Sequence, residues 1–203
     1  WYKSKRYFLT PSAPLPHAPD PVDVDPNIML RARVMEERAR AGFRNHPVFV
    51  AHFKDEPTKY AKIDASKTRV FSGSPFDWNI VVRKYFLSLS RLMQRNRFVF
   101  ECAVGTNAMS TEWGEIYKYL TAHGSERIIA GDYRAYDKTM PPSAILHAFS
   151  ILISIARSAG YTECDQRAMW SCAYDTAFPL TDFFGDLVMF NGSNPSGHPL
   201  TVI

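Results

Sequence analysis

Gly131-Asp132-Tyr133-Arg134-Ala135-Tyr136-Asp137 is the stretch of sequence that decides the fold. The apolar run before it, residues 127–130, predicts a short strand that ends at Asp132, and a carboxylate at an exposed strand end can hold a hard divalent cation. Asp137 lies five residues further on, past a predicted turn, and can face the same cleft. Taken alone, two aspartates at this spacing are more often solvated loop charges or helix caps.

The composition indicates a globular and mildly basic chain. Of its 203 residues, 46% are apolar, 14% aromatic and 22% charged, so the chain can bury a sizeable core. The formal net charge of +4 favours a polyanionic partner. Three cysteines without a C-x-x-C pair argue against a disulfide framework, and the scattered histidines argue against a zinc site. The longest mostly apolar stretch, residues 144–156, is too short to cross a bilayer, so we expect no direct membrane segment.

Hydrophobic periodicity predicts a mixed α+β fold. Helices are predicted over residues 27–44, over 80–93, from the N-cap Thr111 to 120, and from Pro141-Pro142 to Gly160. Strands are predicted over residues 48–53 and in a hairpin around Gly185-Asp186. The apolar stripe of the third helix, Trp113, Ile116, Tyr117 and Leu120, is expected in the core. Residues 1–26 hold six prolines and favour an extended segment.

Two further segments carry polar chemistry. The first runs from Lys54-Asp55-Glu56 to Arg69 and holds five cationic residues. These cations can line a channel for triphosphate and nucleic-acid backbone, but the segment is equally compatible with an ordinary surface loop. The second is the loop of residues 191–201, whose small polar residues let the backbone approach a ligand closely. The cations of residues 83–97 fit a solvated helix face and an RNA-facing surface equally well.

In order and spacing, these segments resemble the RNA-dependent RNA polymerases of positive-strand RNA viruses, and most closely the picorna-like group, including marine viruses of protists. The basic segment, residues 54–69, is similar to motif F. Asp132 and Asp137 match motif A, and Ser196-Gly197 with Thr201 matches the first part of motif B. The resemblance covers residues 28–203. It implies a right-hand polymerase fold of which this chain holds the fingers and part of the palm.

The resemblance also implies domain boundaries. Fingers are expected over residues 1–94, a palm segment with motif A over 95–142, a fingers insertion over 143–190, and the start of palm motif B over 191–203.

The resemblance implies roles for individual residues in a two-metal nucleotidyl transfer, in which the two cations lie about 3.5–4 Å apart. Asp132 and the backbone carbonyl of Tyr133 are expected to bind Mg²⁺, or alternatively Mn²⁺. Asp137 is expected to bind the ribose 2′-hydroxyl of the incoming nucleotide. A site that hydrogen-bonds this hydroxyl would reject deoxynucleotides, which lack it. The remaining expected nucleotide-binding residues are Lys62, Arg69, Lys67, Lys54, Ser196, Gly197 and Thr201.

Within that set, Lys62 and Arg69 are expected to neutralise the triphosphate, and Lys54 and Lys67 to line the nucleotide and template channel. Ser196 is expected to contact the nucleotide or motif A, Gly197 to let the loop move, and Thr201 to join the network that orients Asp137.

The expected partners are an RNA template, nascent RNA, ribonucleoside triphosphates and other parts of a viral polyprotein, in a replication complex of the host cytoplasm. The family's G-D-D motif is not found in this sequence. We therefore expect the 203-residue chain alone to be inactive in polymerisation. The alternatives are a reverse transcriptase, a non-catalytic basic RNA-binding module, and a globular domain with accidental motif matches. Asp137 argues against a reverse transcriptase, since those enzymes usually carry a bulky aromatic residue at this position.

Overall fold

The structure is a computed structural model that describes residues 4–17 and 20–201. Pro19 of the proline-rich segment and the last two residues of the predicted motif B segment lie outside the described residues. The strands are β1 (Leu9–Pro11), β2 (Val22–Val24), β3 (Val48–Phe53), β4 (Val70–Gly73), β5 (Leu180–Phe183) and β6 (Asp186–Met189). The helices are α1 (Pro26–Arg40), α2 (Tyr60–Asp64), α3 (Phe76–Arg95), α4 (Arg97–Phe100), α5 (Glu112–Leu120), α6 (Tyr136–Thr139), α7 (Pro142–Ser158) and α8 (Glu163–Ala177). The predicted α+β class is confirmed.

A four-stranded sheet in the order β4-β3-β5-β6 forms one layer. β3 pairs antiparallel with β4 and parallel with β5, where Val48 lies opposite Leu180. The predicted hairpin is confirmed, because β5 and β6 pair antiparallel around Phe184 and Gly185, both of which have positive φ. β1 and β2 form a separate two-stranded sheet.

The helices α1, α3, α7 and α8 pack together and against the sheet around one apolar core. Trp78 and Phe86 of α3 are fully buried, and Trp78 meets Phe49 of β3 edge to face at 5.4 Å. Phe86 makes the same kind of contact with Phe149 of α7 at 5.2 Å. Burying each such side chain contributes about 1.5–3 kcal/mol.

Two buried carboxylates connect the helices. Asp77 is 2% exposed and accepts a 2.7 Å hydrogen bond from Arg31 Nε, which joins α3 to α1. Asp175 of α8 is paired with Arg44 at 3.0 Å and also accepts from the backbone N–H of Asn45. Because each buried carboxylate is paired with a partly exposed arginine of another segment, it fixes the relative position of the two segments.

Several features differ from the sequence-based expectations. The predicted strand over 127–130 is wrong: residues 128–133 are irregular and Ile129 is 97% exposed, because no neighbouring strand in the described residues pairs with them. The stripe of α5 is not core, since Trp113 and Tyr117 are more than half exposed. α8 was not predicted, although Thr162 begins it with a capping box.

Among residues 4–17 and 20–201, no helix is both long and apolar enough to span a membrane. The domain boundaries stay a prediction, because the fold alone does not divide the chain at those residues.

Candidate active site

A cleft of about 940 Å³ lies where three segments that are distant in sequence meet. We call it the basic cleft and define it by its lining: Lys54, Ser66, Lys67, Thr68, Arg69, Val70, Tyr133, Ala135, Tyr136, Asp137, Lys138, Asn194, Ser196 and Thr201. Four cationic side chains and one carboxylate are among these residues, so the cleft favours an anionic ligand.

The structure therefore brings together most of the predicted site residues. Lys54, Lys67, Arg69, Tyr133, Asp137, Ser196 and Thr201 line the basic cleft. Of the remaining predicted residues, all of which the structure describes, Lys62, Asp132 and Gly197 do not line it.

The basic wall of the cleft is built at the ends of β3 and β4. The backbone N–H of Lys54 donates to the carbonyl oxygen of Arg69 at 3.0 Å, which continues the pairing of the two strands and places both cations at one sheet end. Lys67 follows α2, and its N–H donates to the carbonyl of Lys62 at 2.7 Å. Arg69 Nη1 donates to both carboxylate oxygens of Glu56 at 3.2 Å. This exposed ion pair neutralises part of the charge of Arg69.

The motif A segment turns sharply between its two aspartates. Ala135 has a φ of +51°, a left-handed conformation that is strained for a residue with a Cβ, and α6 begins immediately after it. The turn brings Asp137 into the basic cleft as a half-buried residue, whereas Asp132 stays exposed in the irregular segment.

The loop of residues 193–201, which we call the motif B loop, is tied to Asp137 through the backbone. The N–H of Asn194 donates to the carbonyl oxygen of Asp137 at 2.7 Å, and Ser193 Oγ donates to the same oxygen at 2.9 Å. The N–H of Ser193 also donates to the carbonyl of Met140. Sequence reasoning missed the roles of Ser193 and Asn194, because contacts to a backbone carbonyl leave no pattern in the partner's sequence.

Thr201 acts mainly on the conformation of the loop itself. Its Oγ1 donates to the carbonyl of Pro195 at 2.6 Å, and its own carbonyl accepts from Asn194 Nδ2 at 3.1 Å. Thr201 thus reaches Asp137 indirectly, through Asn194. That Thr201 orients the Asp137 side chain stays a prediction.

Gly197 holds the motif B loop against β4. Its N–H donates to the carbonyl of Ser72 at 2.9 Å, and its own carbonyl accepts from Ser74 Oγ at 2.9 Å. A Cβ at this position would lie 2.3 Å from the Ser72 oxygen. Close backbone approach therefore requires glycine here. That the loop also moves when a nucleotide enters stays a prediction.

His198 fixes the loop to the core. It is 5% exposed, and its ring contacts Trp78 and Phe149 edge to face. Nδ1 accepts from the N–H of Leu200 at 2.9 Å, so Nε2 carries the proton and faces Thr176 Oγ1 at 3.0 Å. Burial lowers the pKa of His198 to about 3 and keeps the ring neutral.

The described residues supply only part of a binding site for a divalent metal. Within the described residues no three His, Cys, Asp or Glu side chains are grouped as a metal site requires. Asp132 with the Tyr133 carbonyl offers two oxygen donors, whereas Mg²⁺ needs near-octahedral coordination. These residues do not by themselves fit a two-metal centre, and their role as metal ligands stays a prediction.

The fold and the arrangement of three motifs in one cleft agree with the comparisons to known proteins. Residues 26–203 match the family of viral RNA-dependent RNA polymerases. The chain belongs to this family. The alternatives of a reverse transcriptase, a non-catalytic RNA-binding module and an accidental motif match are not favoured.

The curated relatives are polyproteins of picorna-like viruses. The chain is 36% identical over 163 residues to the replicase polyprotein of Cricket paralysis virus, covering 77% of this chain and 9% of that protein. It is 33% identical over 176 residues to the replicase polyprotein of Drosophila C virus, covering 82% and 10% respectively. The chain thus spans about a tenth of these relatives' length. The narrower likeness to marine, protist-infecting viruses stays a prediction.

Among solved structures, the chain is similar to the Sicinivirus 3Dpol RNA dependent RNA polymerase, with a TM-score of 0.70 and 17% sequence identity. The similarity covers 94% of this chain and 37% of that one. It confirms that the chain has part of a viral polymerase fold.

Proposed function

We propose that this chain provides the nucleotide-entry site of a viral RNA-directed RNA polymerase, which in the complete protein carries out template-directed ribonucleotidyl transfer. The observation that carries the proposal is the basic cleft, where the motif F cations, the motif A aspartate Asp137 and the motif B residues Ser196 and Thr201 share one lining. Family membership supports the reaction class.

The cations act on the triphosphate. Lys54, Lys67 and Arg69 supply fixed positive charge on one wall, which neutralises phosphate oxygens and stabilises the negative charge that develops on the pyrophosphate leaving group. The Glu56 carboxylate competes with phosphate for Arg69. A bound triphosphate displaces Glu56 or shares the guanidinium with it. Lys62 is exposed on α2 and belongs to the proposal only as an outer contact.

Asp137 acts on the sugar. Its backbone is held by Ser193 and Asn194, and the half-buried residue lines the same cleft as the cations. A carboxylate that accepts a hydrogen bond from the ribose 2′-hydroxyl loses that bond with a deoxynucleotide. Ser196 lines the same cleft and offers a hydroxyl to the same nucleotide.

The remaining partners follow from the reaction class. In the complete protein a divalent metal such as Mg²⁺ or Mn²⁺ would serve the proposed reaction, and Asp132 would contribute one of its carboxylate ligands. An RNA template, nascent RNA and other polyprotein segments are the proposed macromolecular partners, and a replication complex in the host cytoplasm is the proposed location.

The test measures nucleotide binding to the 203-residue chain by equilibrium dialysis with GTP and dGTP. Replacing both Lys67 and Arg69 by alanine should weaken GTP binding by about tenfold or more, since charge-assisted contacts to phosphate are lost. Lys118→Ala removes an exposed cation on α5, outside the cleft, and serves as the matched control.

Asp137→Ala should bring the affinities for GTP and dGTP together by weakening GTP binding about tenfold. Equal GTP binding by the wild type, the double variant and Lys118→Ala would show that the basic cleft is not the nucleotide site.

A further inference from the structure

Three phenylalanines form an exposed group at the end of the sheet, which we call the aromatic cluster: Phe53, Phe183 and Phe184. Their exposed fractions are 59%, 41% and 55%, unusual for three neighbouring large apolar side chains. The rings of Phe53 and Phe184 are stacked, with centroids 4.8 Å apart and an interplanar angle of 27°. Phe183 meets Phe184 edge to face at 5.2 Å.

The cluster is held in place by its backbone. Phe184 has a φ of +59° at the β5–β6 turn, a left-handed conformation that costs energy for a residue with a Cβ. The turn is braced because Asp182 Oδ1 accepts a hydrogen bond from the N–H of Gly185 at 2.8 Å. The two-residue turn, with positive φ at both Phe184 and Gly185, therefore holds the Phe184 ring at the exposed tip of the hairpin.

The cluster adjoins the basic cleft by two routes. Phe53 directly precedes Lys54, whose backbone is bonded to Arg69 at the end of the sheet. In addition, a second cavity of about 410 Å³ lined by Phe183 shares Val70, Asp137 and Ser196 with the basic cleft. Phe183, whose ring contacts Phe184, therefore lines a cavity that adjoins the cleft with its cations.

We propose that the aromatic cluster is a stacking platform for the unpaired bases of single-stranded RNA, whose phosphates are bound by the cations beginning at Lys54. The proposal rests on the proposed function, because it identifies that RNA as template approaching the nucleotide site. Flat rings beside a cationic groove are the combination that binds single-stranded nucleic acid without sequence preference.

The charge distribution favours this ligand over an apolar protein segment. Lys54, Lys67 and Arg69 lie on the cleft side of the cluster, while the carboxylates of Asp182 and Asp186 lie on the hairpin. A polyanion is attracted on one side and repelled on the other, so the phosphates follow the cleft side and the bases face the rings.

The test compares two 12-nucleotide probes on the 203-residue chain by fluorescence anisotropy: an unstructured RNA of mixed A and C, and an abasic ribose-phosphate oligomer of equal length. The wild type should bind the RNA about tenfold or more tighter than the abasic oligomer, since stacking is lost without bases. Phe53→Ala and Phe184→Ala should each weaken RNA binding by about tenfold and leave abasic binding unchanged.

Two further variants separate stacking from loss of fold or of apolar surface. Phe184→Trp should keep RNA affinity within about threefold of the wild type, because it retains a flat ring. Leu187→Ala removes an exposed apolar side chain from the same hairpin, where Leu187 is 63% exposed, and should leave RNA affinity unchanged.

The outcomes distinguish the platform from the function on which it rests. Salt-sensitive binding of RNA and abasic oligomer with equal affinity, unaffected by Phe53→Ala and Phe184→Ala, would overturn the platform and leave the proposed polymerase function standing. Failure to bind either probe at low salt would overturn both. A sedimentation coefficient that rises with protein concentration and is restored to the monomer value by Phe184→Ala would show that a second copy covers the cluster, and would also overturn the platform.

Discussion

Acidification should destabilise the protein through His198, and the size of the effect follows from how the ring is held. Its Nδ1 accepts from the Leu200 N–H, and its Nε2–H faces Thr176 Oγ1, whose own proton is donated to the Cys172 carbonyl. Protonating Nδ1 would place two donors against each other and bury a charge among Trp78 and Phe149.

The pKa of His198 is lowered from its usual 6.5 to about 3 by burial. Below pH 6.5 the unfolded chain takes up a proton at this residue that the folded chain does not, so stability falls as the pH drops from 6.5 towards 3. At pH 5, about 1.5 units below the unfolded value, the loss is about 2 kcal/mol relative to pH 7.

Urea unfolding at pH 7 and pH 5 measures this effect. Other titrating groups contribute to the wild-type difference as well, so the comparison needs His198→Asn, which keeps an acceptor for the Leu200 N–H but does not titrate. The loss of stability between pH 7 and 5 should be about 2 kcal/mol smaller in the variant than in the wild type.

Should His198→Asn prove too unstable to measure, the ring nitrogen signals of wild-type His198 provide the same information by NMR. They should remain those of a neutral imidazole at pH 5. An equal pH dependence in the two proteins, or a protonated His198 ring in the folded state at pH 5, would refute the reasoning.

Two further variants test how backbone contacts hold the structure. Gly197→Ala should destabilise the chain by about 2–3 kcal/mol in urea unfolding, because the added Cβ meets the Ser72 carbonyl at 2.3 Å. Gly114→Ala in α5, where the added Cβ meets none of the described atoms within 4 Å, should stabilise it by about 0.5–1 kcal/mol; equal effects of the two substitutions would contradict the close-approach argument. Thr162→Ala removes the capping box with Asp165 and should cost about 1 kcal/mol, and an unchanged thermal midpoint would show that the cap is not needed to begin α8.

The local elements of the fold were largely predictable because they depend on periodicity. The apolar stripes of α3 and α7 and the hairpin turn at Gly185 are all visible in sequence, and the structure confirms them. α8 could not be predicted from periodicity because most of its buried residues are small or polar, such as Ala168, Ser171 and Thr176, and give no strong apolar period.

The parts that depended on a distant partner could not be predicted. An apolar run such as residues 127–130 becomes a strand only where another strand supplies its hydrogen bonds, and none of the described segments does so. The exposed stripe of α5 shows the same limit, since an amphipathic pattern indicates that a face is to be covered but not what covers it.

For the candidate site, the resemblance to the polymerase family predicted which segments meet. Lys67, Asp137 and Ser196 do line one cleft, as the resemblance to the polymerase family implied. The contacts that hold these residues could not be predicted from the sequence. Asn194 donates to the backbone carbonyl of Asp137, which any residue type could offer, and His198 holds the loop by being buried in the core.

The parallel pairing of β3 with β5 has a consequence for how the protein is made. These neighbours are about 130 residues apart in the chain. When β3 and β4 leave the ribosome as an antiparallel pair, the free edge of β3 has no partner until β5 is synthesised. At a translation rate of about 5–20 residues per second, that edge stays open for several seconds or longer. During this interval the nascent polypeptide is most vulnerable to aggregation through β3, and a chaperone that shields this edge would raise the yield of folded protein.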